Sequence, residues 1–167
     1  EETGSQLLPY LKVKDRHTLI LVEGVTLELV RVPAGEFLYG DEKKKHTLPE
    51  YWIGKTPVTV SQFQAFLNTK PNFTPDTYWR SKVKSEQTEH PAKCVSWEEA
   101  KLFCEWVSKL CGVEVTLPTE MQWEKAARGT DGRLYPWGNT KPDDTLCNFN
   151  KYDAYMKASG DDNYKFT

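Results

Sequence analysis

Residues 116–139 read TLPTEMQWEKAARGTDGRLYPWGN. Thr119, Glu120, Met121 and Gln122 form a capping box after Pro118. A hydroxyl at the N-cap and an amide three residues on satisfy each other's backbone donors there. The helix that opens is short. It is expected to run through Arg128, with Trp123, Ala126 and Ala127 inward, and Gly129 stops it. Asp131-Gly132 and Pro136-Trp137-Gly138 then carry turn chemistry. No nucleophile stands beside a base in this stretch, and no ligand cluster occurs. Glu120 and Glu124 are explained by the helix start and by an ion pair with Arg128. Trp123 and Trp137 are expected as core anchors, because an indole buries a large area. The stretch therefore reads as frame.

The neighbouring segments obey the same local rules. Ser96-Trp97-Glu98-Glu99 is a second capping box. It opens a helix to about Leu110, on which Trp97, Ala100, Phe103, Cys104, Val107, Leu110 and Cys111 form a stripe of helical period. Gly112 ends it. Upstream, residues 19–22 and 27–32 read as two strands joined by Glu23-Gly24. Leu27, Leu29 and Arg31 alternate with Glu28, Val30 and Val32, which is the period of an antiparallel hairpin. Residues 36–39 resume as a short strand, 41–49 read as a charged loop, and 51–55 as a further strand. Thr59 or Ser61 caps a helix over residues 62–68, with Phe63, Phe66 and Leu67 on one face. Residues 69–90 read as a long loop, or a loop with a small helical turn, of the kind that often carries function. The outcome is an α+β chain with short antiparallel strands and two or three helices. Residues 1–17 read as a leader or linker, and 18–167 as one domain.

Composition bounds the rest. At 167 residues the chain can bury a proper core. A net charge of −2 gives no electrostatic footprint for nucleic acid, and no apolar run approaches the roughly 20 residues that span a bilayer. Six Trp, eight Tyr and seven Phe let a compact core form with little regular secondary structure. Cys104 and Cys111 share a helix at a separation of roughly 10 Å along its axis, too far for a disulfide. Four reduced thiols are expected, Cys94 and Cys147 included.

Five separated motifs occur in order: VPAGEFLYG, YWIGKTPVTVSQFQAFL, HPAKCVSWEEAKLFCEWV, LPTEMQWEKAARG and YPWGN. The series resembles the formylglycine-generating enzyme family, also called the sulfatase-modifying factor domain, from about Val25 to the end. The resemblance implies a variant of the C-type lectin fold, of a kind common in bacterial proteins. In that family the last two motifs are structural, so Trp123 and Trp137 are assigned structural roles; Trp97 and Cys104, on the stripe of the preceding helix, are assigned structural roles as well. The family's oxidases hold copper with a cysteine pair near the C-terminal end of the domain, beside Gly-Asn-Val-Trp-Glu-Trp and Arg-Gly-Gly-Ser-Trp stretches. Neither stretch occurs here, and none of the four cysteines matches the pair. Copper is expected only if a further part of the protein carries that pair. Iron-dependent sulfoxide synthases share the fold but use an HxxxHxE motif. His17, His46 and His90 are scattered, so that branch is set aside.

Two candidate sites remain. The resemblance implies a structural calcium ion held by the Asn148 side chain, the Phe149 carbonyl, Asp162 and the Tyr164 carbonyl. Calcium takes six to eight oxygens of this kind. Phe73, Tyr78, Trp79 and Arg80 in the long loop are the residue types enriched at binding hot spots. The reading adopted is a non-catalytic recognition or scaffold module, part of a larger protein or assembly. The alternatives are the N-terminal part of a copper-dependent oxidase acting on sulfatase cysteines, and a ligand-binding display protein with a variable C-terminal face. The domain is expected to be completed by a protein partner or a second segment, with no nucleic acid and no membrane involved.

Overall fold

The computed structural model describes residues 10–13, 15–70, 88–143 and 145–147. The strands are β1 (Tyr10–Val13), β2 (Arg16–Val22), β3 (Val25–Val32), β4 (Gly35–Tyr39), β5 (Lys44–Leu48) and β6 (Tyr51–Gly54). The helices are α1 (Val60–Asn68), α2 (Trp97–Cys111) and α3 (Glu120–Arg128). Strands β1, β2, β3 and β6 form one antiparallel sheet in that order, and β4 with β5 forms a second. The architecture is α+β, as the hydrophobic periods imply.

Two strands depart from the sequence reading. β1 pairs with β2, which begins at Arg16, so the sheet reaches into residues 1–17 read as leader. β5 occupies the charged loop of residues 41–49. Its KKHTL sequence has no inward apolar face, and it is a strand because β4 pairs with all five of its residues. Strand preference depends on context in this way.

The hairpin of β2 and β3 sets the first core. Leu19 and Leu27 lie opposite each other on one face, with Leu21 beside them, and all three are buried. Gly24 makes the connecting turn at φ +76°, a conformation open to glycine. α1 and α2 pack on this face through Val60, Phe63, Phe66, Phe103, Val107 and Cys111. Phe66 lies at the centre, with ring centroids of Phe63, Phe103 and Trp106 at 5.5, 6.0 and 5.8 Å. These are ordinary aromatic packing distances.

Capping boxes start all three described helices. At α1 the cap is Thr59, and its partner Gln62 also donates from Nε2 to the Thr26 carbonyl at 2.7 Å. The cap thus fastens α1 to β3. At α2, Glu99 accepts from the Ser96 amide at 2.7 Å, and Gly112 closes the helix at φ +65°.

Candidate functional site: a groove beside α3

α3 packs on β4 through polar groups. Lys125 is its one buried residue, 3% exposed. Its ammonium donates to the carbonyls of Pro33 at 2.8 Å and Gly35 at 3.0 Å and lies 5.9 Å from the Phe37 ring centroid. Glu124 accepts from the Gly40 amide at 2.8 Å and from Arg128 Nη1 at 2.7 Å. Tyr51 donates its hydroxyl to the Gln122 carbonyl at 2.6 Å. Hydrogen bonding to the Glu120 carboxylate raises the pKa of Tyr39, and burial raises that of Tyr51. Both phenols are held as donors.

This arrangement corrects the placement of two tryptophans. Trp123 is 61% exposed and Ala126 is exposed. Successive residues turn about 100° around a helix, so Trp123 lies about 200° from Lys125, and the interior side of this nine-residue helix belongs to the lysine. Trp97 is 62% exposed. It opens α2 more than a turn before Phe103, and Lys101 Nζ lies over its ring at 4.6 Å. Leu110, placed in the same stripe, is also exposed. Cys104 is buried, and Trp137 is partly buried, stacked on Tyr135 with centroids 5.1 Å apart and its indole N–H donating to the Thr140 carbonyl. The pairing of Glu124 with Arg128 is present, with both side chains largely buried.

A groove of about 620 Å³ opens between α3 and the outer face of the four-stranded sheet. Its floor follows from the register. Leu27 and Leu29 face the core, so Val30 and Val32 point to the opposite face, and Ile53, opposite Val30, shares that face. A solvated face of an antiparallel sheet carries polar residues. Thr26 and Glu28 meet that expectation, whereas Val30 and Val32 break it where the groove begins. Trp123 and Ala126 line the helix side.

The charges around the groove are mutually paired. Arg31 contacts Asp15 at 3.0 Å and Glu50 at 2.8 Å, and Lys55 contacts Glu28 at 2.7 Å. Arg133 grips Asp131 through two nitrogens, with the shortest contact 2.7 Å, and this hydrogen bonding draws the Asp131 pKa down to about 2. An anion entering the groove would have to displace an existing carboxylate from each of these cations.

Asn148, Phe149, Asp162 and Tyr164, proposed for calcium, lie outside the described residues, as do Phe73, Tyr78, Trp79 and Arg80. Among the described residues no three His, Cys, Asp or Glu side chains come together as a metal-holding group. The four cysteines are free, and burial raises the thiol pKa of Cys104 and Cys111. The nucleophilic thiolate is disfavoured at both. The groove itself was not anticipated. The signal that could have revealed it is the loss of alternation at Val30-Arg31-Val32.

An α+β frame with three boxed helices and a groove walled by the TEMQWEKAAR helix defines the structural class. Residues 22–167 match the sulfatase-modifying factor enzyme 1-like domain, and the chain belongs to that family. It is 27% identical to the inactive C-alpha-formylglycine-generating enzyme 2 of Bos taurus, over 81% of this chain and 60% of that protein. It is 34% identical to the formylglycine-generating enzyme of Thermomonospora curvata, over 56% of this chain and 31% of that protein. It is 28% identical to the hercynine oxygenase of Mycobacterium tuberculosis, over 65% of this chain and 32% of that protein. The chain therefore spans 60% or less of the length of each of these relatives.

Proposed function

We propose that the chain is a non-catalytic recognition or scaffold module on this family's frame, binding polypeptide at the groove beside α3. The observation that carries the reading is the groove itself: an apolar floor, an exposed Trp123 on its wall, and charges already paired. Aromatic anchors beside a concave apolar surface are typical of protein recognition. The raised thiol pKa of Cys104 and Cys111 argues against either as the reacting group. The Bos taurus relative is itself named inactive. Phe73, Tyr78, Trp79 and Arg80 are kept in the proposal as recognition residues on their residue types alone.

The decisive experiment is a copper-dependent oxidation assay with a cysteine-containing sulfatase peptide on the complete protein. No turnover is expected. Conversion of the cysteine to formylglycine would overturn the reading in favour of the copper oxidase. That second reading is favoured by the relative from Thermomonospora curvata, which is named as a formylglycine-generating enzyme.

A C-type lectin-like frame and a structural calcium ion belong to the same proposal. The calcium rests on the family resemblance, which places Asn148, Phe149, Asp162 and Tyr164 at its ligand positions, and on the preference of calcium for such oxygens. Thermal melts in calcium and in chelator test it. A higher melting temperature in calcium is expected, and coincident melts would remove the ion.

A further inference from the structure

We infer that β4, β5 and α3 form one cooperative unit, which opens at a proline break while the four-stranded sheet stays folded on α1 and α2. The break is visible in the strand register. Val30 and Val32 of β3 face Ile53 and Tyr51 of β6, and Gly35 and Phe37 of β4 face Leu48 and His46 of β5. Continued past Val32 and Tyr51, the first register meets the second in step, with residues 33–34 and 49–50 between them. The two ladders are one long ribbon with a gap. Pro33 and Pro49 lie in that gap, one on each side, and proline has no amide to give to a ladder. Gly35 follows at φ +134°, a backbone conformation that favours glycine. The ribbon is thus interrupted on both strands at one level.

The two sides of the break are held unequally. The core cluster around Leu19, Phe66 and Val107 takes no described residue from β4, β5 or α3. Phe37 is the one buried hydrophobic residue described in those three elements, and its ring neighbours Tyr39 and His46 lie on the same hairpin. The remaining ties between the hairpin and α3 are polar: Glu124 with the Gly40 amide, the Tyr39 phenol with Glu120, and Lys125 with the Gly35 carbonyl. Segments that bury little apolar area open at lower free energy than a core.

Lys125 is the clamp on the break. Its ammonium bonds the carbonyls of Pro33 and Gly35, which flank Ala34 in the gap. Tyr51, the first residue of β6, adds a second tie across the boundary through the Gln122 carbonyl. β3 keeps its ladders with β2 and β6 when the unit opens, because both lie on the far side of the prolines. The same boundary divides the groove. Trp123 and Ala126 on its wall belong to the unit, whereas Val30, Val32 and Ile53 on its floor stay with the sheet. Opening therefore parts wall from floor. This device goes beyond the recognition reading and assumes no occupant of the groove.

The test is amide hydrogen exchange of the complete protein, read by mass spectrometry on peptides from residues 35–48, from α3, and from α1 and α2. Corrected for intrinsic rates, residues 35–48 and α3 are expected to exchange through one shared opening, at least about tenfold faster than α1 and α2. Two variants separate a partial opening from a global one. Val107→Ala removes methyl groups from the fully buried core, which stays folded when the unit opens. It should speed exchange in α2 by about tenfold or more and leave residues 35–48 and α3 unchanged. Lys125→Met removes the clamp and should speed residues 35–48 and α3 by one common factor of about tenfold. Core-like protection of the unit would overturn the inference. So would equal acceleration of unit and core by Val107→Ala, or unequal factors in hairpin and helix from Lys125→Met. The measurement on the native protein needs neither variant, so a variant that fails to fold leaves the test intact. These results are independent of the oxidation assay, so the opening can fail while the non-catalytic reading stands.

Discussion

The two helix–sheet contacts of this molecule are built from opposite materials. α1 and α2 meet the inner face of the four-stranded sheet through leucine, valine and phenylalanine, with Phe66 and Val107 fully buried. α3 meets β4 through Lys125, Glu124 and their bonds to backbone groups of residues 33–40. Burial of apolar area is nondirectional and holds a core wherever surfaces fit. Charge-assisted hydrogen bonds are directional and fix an orientation. The first contact closes its apolar surface on itself. The second holds a helix at a fixed angle and leaves Trp123 exposed beside the valines of β3.

Substitutions can break each side of that comparison. The largest effect is expected at Phe66, which is 0% exposed and touches three other rings. Phe66→Ala should cost about 3–5 kcal/mol, read as a shift of the urea midpoint. Lys125→Ala should cost about 2 kcal/mol, because it strands the Pro33 and Gly35 carbonyls that the ammonium now satisfies. Lys125→Met keeps the stem and discards the charge. It should recover only the packing share, so a full recovery would show that α3 is held by apolar contact after all.

That same contrast explains what could be read from the sequence. The apolar half was legible because its signals are local and periodic. The capping box at Ser96, the Gly112 stop, and the spacing of Phe103, Cys104 and Val107 all stand as expected, and the Thr119 box marks the start of α3 though not its rotation. The polar half was not. Hydrophobic periodicity assigns the interior of α3 to Trp123 and Ala126, whereas the group inside is a lysine whose partners are backbone carbonyls about 90 residues away. Carbonyls have no sequence signature, so no pattern could have turned that helix. β5 escaped for a related reason, since its Lys44-Lys45 start becomes a strand only through β4. The groove followed from the rotation of α3 and was hidden with it. The calcium and hot-spot assignments fall outside the described residues; the first rests on the family resemblance and the second on residue type.

Two smaller predictions sharpen the contrast at the turn after α3. Gly132 sits at φ +72° against β4, and a methyl group built on it would lie 2.8 Å from Leu38 Cδ1. Gly132→Ala should therefore cost about 1–2 kcal/mol, from the left-handed backbone and the displaced leucine together. Gly112→Ala provides the control. It has similar backbone strain at φ +65° with nothing within 4 Å of the added carbon, so it should cost less. Equal costs would mean that the turn does not press on β4.

The smallest effect belongs to Asp131, whose carboxylate is held by Arg133 with a pKa of about 2 against an ordinary 3.8. Its folded pKa lies below the unfolded value, so its contribution to stability is fully present above pH 3.8. It fades as pH falls through about 2. Both side chains are open to solvent, so screening keeps the contribution small. Comparing the native chain with Asp131→Asn from pH 6 to pH 2 should show stabilities that differ slightly at the upper end and converge at the lower. Salt should narrow the upper gap, because a solvent-exposed pair is screened over about 10 Å at 0.1 M. Lys125→Met should show no such salt dependence. Its ammonium is buried against carbonyls, where mobile ions do not reach, and a salt-sensitive deficit there would place Lys125 with the surface charges around the groove.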